Sequence, residues 1–428
     1  MSQDQNTSTP HDSRRLHWAG VVCGLCAGVW LGAAEAPTKL VNAGLSPFAV
    51  SLCMVSGVFA ARWTLPTLLK GTSQVAGDLM RKKYLIIWAL LAGMMWAVAN
   101  TLTVFAIRDV GLTIAFPLWN TNSLIGLLWG RLLFGELKKA SPANIARVVI
   151  GTVAIVAAAT LLGFSTMHGG SSPSPHAVQG ILAALGASLL WGTMYIPYRK
   201  AYISGMNPLS FVTAFTFGEL GTVFALVWFL DGGAKAPIFH TVGLEHLLFW
   251  LFLGGFVWVI GDIFQQFATK YLGIGRGIPL SNTNQLWGLA WGALVFGELA
   301  NASATQRIMV IAGSLIMIGG AIAISTAVAT QREHNSMQDM LQRECDRYNL
   351  DIREVVRDYS RPEFDSSGKR SIGDYAIVAT ATAVFLYLGL KARVPQIAFS
   401  SQWVVVLVVV MLASVGAGIF ALRKLSNS

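Results

Sequence analysis

The chain has 428 residues, 54% of them hydrophobic and 12% charged, with a mean hydropathy of +0.57 and a formal net charge of +10. A soluble domain carries roughly twice that charged fraction, so composition excludes an ordinary globular domain and describes an integral membrane protein. The positive balance does not mark a nucleic-acid binder, because the basic residues gather in alternate loops, as the positive-inside rule requires, and form no continuous basic face.

In chain order, Arg14 and Arg15 precede an apolar run, and Ala34-Glu35-Ala36 imitates a signal-peptide cleavage site. Gly32 to Pro37 nevertheless aligns with Gly192 to Pro197 at an offset of 160, which reads the segment as a retained helix. Cys23 and Cys26 form a CxxC with no second pair; with Cys53 they lie in apolar runs and read as small packing residues. Hydrophobic spans fall near 17–37, 46–67, 84–107, 112–134 and 144–164, and again near 178–198, 208–230, 245–269, 276–297 and 305–328. Between the two sets, 165–177 is charge-free and rich in Gly, Ser and Pro, and reads as an outside linker.

The second set repeats the first. Phe116 to Leu137 and Ile278 to Leu299 align without a gap at an offset of 162 and share 15 of 22 residues. Trp96 matches Trp258, Asn100 matches Asp262 and Gly111 matches Gly273 at that offset, and Pro47 matches Pro208 at 161. Five spans is an odd number, so the second unit enters the membrane from the opposite side, as an inverted-topology repeat. With the N-terminus inside, the inner segments hold 14 Lys and Arg and the outer loops 4, Lys39, Arg108, Lys235 and Arg307. Arg62, Arg199, Lys200, Lys270 and Arg276 are counted among the inner ones, and both termini are expected to be cytoplasmic. Residues 331–372 are polar and densely charged; Met337, Leu341, Cys345, Tyr348, Ile352 and Tyr359 suit one face of an amphipathic helix ending before Pro362, and a solvated linker is the alternative. Spans near 374–391 and 402–422 follow as an appended hairpin. The expected fold is all-α and integral to the membrane: ten transmembrane helices in two inverted five-helix repeats, 1–165 and 177–329, then a polar segment 331–372 and a transmembrane hairpin within 373–428.

Polar residues inside apolar helices are the candidate chemistry. Asn120, Asn122, Asn282, Asn284 and Gln285 belong to the duplicated Asn-Thr-Asn runs. On one continuous helix Asn120 and Asn122 lie about 200° apart, so one could bind a solute while the other bonds a neighbouring helix. Inversion would set Asn100 and Asn120 in the outer half of the membrane and Asp262 and Asn282 in the inner half, flanking the midplane. Of the acids within spans, Glu35 has Lys39 one turn on, Glu219 has no obvious partner, and Asp262 follows Trp258 by one turn. Asp262 and Glu219 are the candidates for coupling to protons. Trp96, Trp119, Trp258, Trp287, Tyr195 and Tyr198 gather near these positions and suit sugar rings, although packing and interface belts use the same residues. No basic residue is read at mid-depth, which argues against a phosphorylated substrate. Pro117 and Pro279 read as first-turn prolines, or as sites that free a backbone carbonyl. Gly126, Gly130, Gly288 and Gly292 form GxxxG and read as helix-packing positions, and Glu136 and Glu298 as helix-end residues. No P-loop lysine motif, HExxH, zinc-type cysteine pairing or GxSxG is present, so no enzyme and no cofactor is expected.

Two five-helix units, each with a proline in its fourth helix and a closing Phe-Gly-Glu, resemble the drug/metabolite transporter superfamily. Pro117 with Phe134-Gly135-Glu136, and Pro279 with Phe296-Gly297-Glu298, carry that likeness over about residues 16–329. The PLWNTNSL and PLSNTNQL runs are most similar to the glucose/ribose porter type of bacterial sugar carrier. The resemblance implies secondary transport through a central cavity lined by helices 1, 3, 4, 6, 8 and 9, in many relatives driven by protons, in a bacterial inner membrane. Export of drugs, amino acids or other metabolites is a second reading. A membrane sensor signalling through 331–372 is a third, and a homodimer is an open arrangement. Residues 331–428 depart from the ten-helix pattern.

Overall fold

The structure is a computed structural model that describes residues 10–34, 36–39, 45–165, 176–241, 243–297, 299–300, 302–360, 370–393 and 399–424. The Glu35–Lys39 pair, Glu298, Tyr359 and the linker at 166–175 lie wholly or partly outside the described residues or side chains. The elements are helical throughout: α1 Pro10–Ala33, α2 Pro47–Leu69, α3 Ile86–Asn120, α4 Asn122–Leu133, α5 Pro142–Ser165, α6 Ala177–Ile203, α7 Pro208–Leu230, α8 Glu245–Leu272, α9 Ile274–Ser281, α10 Asn284–Ala290, α11 Ala304–Ser325, α12 Gln331–Tyr348, α13 Ile352–Ser360, α14 Ile372–Lys391 and α15 Ser401–Lys424. Among the described residues ten helices are long and apolar enough to cross a membrane, and the chain is an all-α, multi-pass membrane protein. Those ten include α14 and α15 but neither of the duplicated Asn-Thr-Asn segments.

That is the main departure from the sequence reading. The segments at 112–134 and 276–297 are not single continuous spans. α3 runs on through Gly111 to Asn120, and a fresh helix starts at Asn122. In the second copy the chain breaks at Gly273, whose φ of +84° favours glycine, and again between α9 and α10. Pro117 and Pro279 therefore do not sit in first turns: each falls two or three residues before a helix end. A proline supplies no N–H and crowds the carbonyl four residues earlier, which weakens the helix there. The break is then closed locally. The Thr121 hydroxyl donates to Leu118 O at 2.6 Å and the Thr283 hydroxyl to Leu280 O at 2.8 Å, the same bond in both copies.

The helices of the two halves interleave. α1 packs on α8 as α6 packs on α3; α2 packs on α8 as α7 packs on α3; α1 meets α10 as α6 meets α4. Glycines set the closest crossings. A Cβ on Gly57 would lie 2.1 Å from Phe252 O and one on Gly255 2.1 Å from Met54 O, while Gly93 and Gly218 stand in the same relation to Phe215 O and Leu90 O at 2.2 Å each. Only a residue without Cβ lets these backbones meet, and close approach of this kind drives helix association in lipid, where the hydrophobic effect is absent. The GxxxG glycines divide their roles. Gly126 faces Tyr195 and Ile274, but Gly130 faces the carboxylate of Glu136, so helix-on-helix packing is not their whole use. The four cysteines are free and buried, Cys345 included, which extends the packing reading of Cys23, Cys26 and Cys53 to the polar segment.

The polar segment is helical and capped: Thr330 and Glu333 form a reciprocal capping box at the start of α12. Met340, Leu341, Cys345 and Val355 are buried in the same apolar cluster as Trp96 and Tyr198. The solvated-linker alternative is thus excluded for α12 and α13.

Candidate functional site

At the centre is a buried ion trio that sequence reasoning did not assemble. Arg62, in the third quarter of α2, donates from Nη1 to Glu219 Oε2 of α7 at 3.2 Å and from Nη2 to Asp262 Oδ2 of α8 at 2.7 Å, all three side chains being 0% exposed. Glu219 therefore has a partner, and a basic residue does stand deep in the bundle. Arg62 reads from the sequence as an inner-side charge, but its guanidinium lies 4.0 Å over the Phe215 ring and 5.3 Å from the Trp258 ring. Such a group is tolerated in an apolar interior only when it is paired and its remaining faces are covered. Gln266 Nε2 donates to Asp262 Oδ1 at 3.0 Å, and the Tyr202 hydroxyl donates to Gln266 Oε1, so the Asp262 carboxylate is held from two sides. A sequence signal did exist: an Arg seven residues before the end of an apolar helix, with two acids in other spans.

The repeat-equivalent residue to Asp262 is Asn100, and its surroundings are neutral. Asn100 Nδ2 donates to Ser51 Oγ at 3.3 Å, and Thr101 Oγ1 donates to the same oxygen at 3.3 Å. Trp96 and Trp258, equivalent in the two copies, meet with centroids 4.8 Å apart. They are the contact that joins the Asn100 side to the trio.

The Asn-Thr-Asn breaks face each other. Asn282 Nδ2 donates to Asn122 Oδ1 at 2.9 Å and to Ser123 Oγ at 2.5 Å, joining the second break to the first. Both asparagines are buried. Asn120 is also buried, and Trp119 meets Trp191 edge-on at 6.1 Å. Gln285 Nε2 donates to Asn284 Oδ1 at 3.1 Å. From Asn122 a run of contacts leads toward the trio: a Cβ on Gly192 would lie 3.0 Å from Asn122 O, Tyr195 is on the same helix and meets Tyr198 at 5.8 Å, and Tyr198 meets Phe215 at 5.6 Å. The structure brings Asn122, Asn282 and Ser123 together and Trp96, Trp258, Asp262 and Glu219 together. It places Trp119 against α6 and ties Asn100 to α2.

At the basic end of the bundle, Glu136 accepts from the N–H groups of Ile274 and Gly275 at 3.0 and 2.9 Å and pairs with Arg199 at 3.3 Å. A carboxylate at the start of α9 satisfies two otherwise orphaned donors and complements the helix dipole. Its helix-end role is the one read from the sequence. Arg199, Lys200, Lys270 and Arg276 are not free loop charges but buried side chains. Among the described residues no group of three or more His, Cys, Asp or Glu side chains could hold a metal ion.

Fold and site together define a multi-pass helical membrane protein with paired polar groups in its interior, a transport architecture. The family model described as "Sugar transport protein" matches residues 63–165 and 182–344, and the chain belongs to that family. The family is one described by transport. A protein of Streptococcus pyogenes serotype M1, provisionally named for sugar uptake, is 32% identical over 145 residues, covering 33% of this chain and 44% of its own length. One of Listeria monocytogenes, named in the same provisional way, is 29% identical over 149 residues, 34% of this chain and 46% of its own. The chain thus matches less than half the length of these relatives. A crystal structure with a TM-score of 0.51 covers 72% of this chain and 96% of its own at 16% identity, a likeness of fold alone.

Proposed function

We propose that the protein is a secondary active carrier of a small polar metabolite, a sugar or related polyol, working by alternating access in a bacterial inner membrane. The observation that carries this reading is the pairing of two helix breaks, one from each copy, through Asn282 and Asn122. Broken helices at mid-membrane expose backbone and amide groups to a solute that water otherwise satisfies, and carriers built from inverted repeats use them in this way. The units 1–165 and 177–329 are the two repeats, inverted with respect to each other. The matched crossings Gly57/Gly255 and Gly93/Gly218, and the meeting of Trp96 with Trp258, are what a two-fold axis in the membrane plane would give. Asn100, Asn120, Asn122, Asn282, Asn284 and Gln285, with Trp96, Trp119, Tyr195 and Trp258, are the substrate-facing residues.

Protons are the coupling ion in this reading. The trio holds two carboxylates against one guanidinium, so one proton on Glu219 or Asp262 makes it neutral. Protonation would loosen Arg62 from one acid and so free α2 from α7 or α8. The groups around it are Tyr198, Tyr202, Gln266, Phe215 and Trp258. In this reading both termini lie in the cytoplasm, which an excess of Lys and Arg in the inner segments supports even with the buried Arg62, Arg199, Lys200, Lys270 and Arg276 set aside. The test is uptake of a sugar panel by proteoliposomes with an imposed pH difference. Concentrative uptake that collapses with the gradient supports the reading, and absence of uptake for every sugar in folded, correctly inserted protein sinks it.

A further inference from the structure

The helix after the second repeat is fastened across the basic end of the bundle by charge. Glu333 of α12 pairs with Arg276 of α9 at 2.7 Å, and Glu344 pairs with Lys200 of α6 at 2.5 Å, with each side chain no more than 10% exposed. Between these pairs, Met337 Sδ lies 3.4 Å from Arg199 Nη2. At its far end α12 reaches elements of the first half: Tyr348 stacks on Tyr84 at 4.9 Å and its hydroxyl accepts from Trp88 Nε1 at 3.2 Å. α13 then sets Val355 against Gly205 at the end of α6. Beneath the strap lies a cavity of about 190 Å³, lined by Glu136, Arg199, Tyr271, Arg276, Glu333 and Met337.

We propose that α12 is a strap that holds the cytoplasmic mouth of the carrier shut. It ties α6 and α9, from one half, to the start of α3, from the other. Those elements must separate when the inner side opens, so the Glu333–Arg276 and Glu344–Lys200 pairs must break or travel with the strap. Water cannot screen charges that are this buried, so each pair is a discrete fastening whose loss uncovers an unmatched charge. The strap rests on the carrier reading given above, because only a carrier has an inner mouth that must open.

The test reads opening directly. Thr269 is fully buried on α8, and its carbonyl accepts from Arg199 at 3.3 Å, beneath the strap. Thr269→Cys, in a background where the four native cysteines are replaced by alanine, is labelled with a membrane-impermeant maleimide from the cytoplasmic side. Glu333→Gln with Glu344→Gln should raise the labelling rate by about tenfold, because the open population grows by the factor by which the restraint is lost. Gln keeps the capping role at 333. The charge exchange Lys200→Glu with Glu344→Lys should bring the rate back toward that of the parent. A short bismaleimide joining Lys200→Cys to Glu344→Cys, assayed in the same vesicles, should suppress it, and this arm stands even if the Gln variants fold poorly. Labelling that the Gln variants and the cross-link both leave unchanged overturns the strap. If the strap variants shift labelling while no sugar does so in any of them, the sugar-carrier reading fails and the strap survives.

Discussion

Asn100 and Asp262 occupy equivalent places in the two copies, and their neighbourhoods show what duplication keeps and what it releases. Around both, the backbone framework is shared: the glycine crossings match to within 0.1 Å, and the tryptophans one turn earlier touch each other. The chemistry is not shared. Asn100 meets one serine of α2, whereas Asp262 meets an arginine of α2 and shares it with Glu219 of α7. The positions matching Arg62 and Glu219 in the other copy are Val223 and Val58. Packing against a repeated partner fixes geometry twice, but a charge needs only one partner. One half can therefore become ionic while the other stays neutral and the frame remains the same.

Removing the asymmetry at its centre should have the largest effect. Arg62→Gln leaves two carboxylates buried without a cation and should cost about 3–5 kcal/mol, read as a fall in thermal stability in detergent. Restoring neutrality with Glu219→Gln and Asp262→Asn in the same chain should recover most of that loss. No recovery would mean that Arg62 acts through packing on Phe215 and not through charge.

The shared frame can be tested at its crossings. Gly57→Ala and Gly93→Ala place a methyl 2.1 and 2.2 Å from a carbonyl oxygen. Each should cost about 1–3 kcal/mol, and by similar amounts, because the two crossings are built alike. Unequal costs in the same melting assay would break the structural side of the comparison.

Function separates the halves in another way. Asp262→Asn gives the second copy the amide that the first carries at this position, removing one acid while leaving Arg62 paired with Glu219. Uptake should lose its dependence on pH while solute binding at one fixed pH is largely kept. If a pH–rate profile remains that of the parent, Glu219 alone carries the proton.

Smaller effects are expected where the breaks meet. Asn282→Ala removes the donor to Asn122 Oδ1 and Ser123 Oγ, leaving only their mutual contact at 3.4 Å, and should weaken solute binding by about 1–3 kcal/mol, measured by isothermal titration. Thr283→Val removes the hydroxyl bond to Leu280 O and should cost roughly 1 kcal/mol or less in stability, and Thr121→Val, which also loses the bond to Ser188 Oγ at 2.7 Å, should cost more.

Much of this was legible in the sequence because it rests on local rules. Apolar runs of bilayer length and a nearly constant offset of 160 to 162 between copies are properties of the chain read in order. They give the class of protein, the helices and the duplicated polar positions. The helix breaks were half legible: proline and the Asn-Thr-Asn run mark them, but a run of apolar residues on both sides reads as one span until the threonine hydroxyls are seen closing the gap. The amphipathic face of α12 was visible as a periodicity, although what covered it was not.

Pairing between distant helices was decided only in three dimensions. Arg62 looks like a loop charge in the sequence because positive residues near helix ends usually are. Its partners lie 157 and 200 residues away, and no spacing rule joins them. Lys200 and Arg276 passed for topology signals until α12 was laid across them. Sequence fixes where the chain can cross a membrane, because that depends on the solvent each residue prefers. Which charges are neutralised, and by whom, depends on helix contacts that burial makes compulsory, and burial is a property of the assembled bundle.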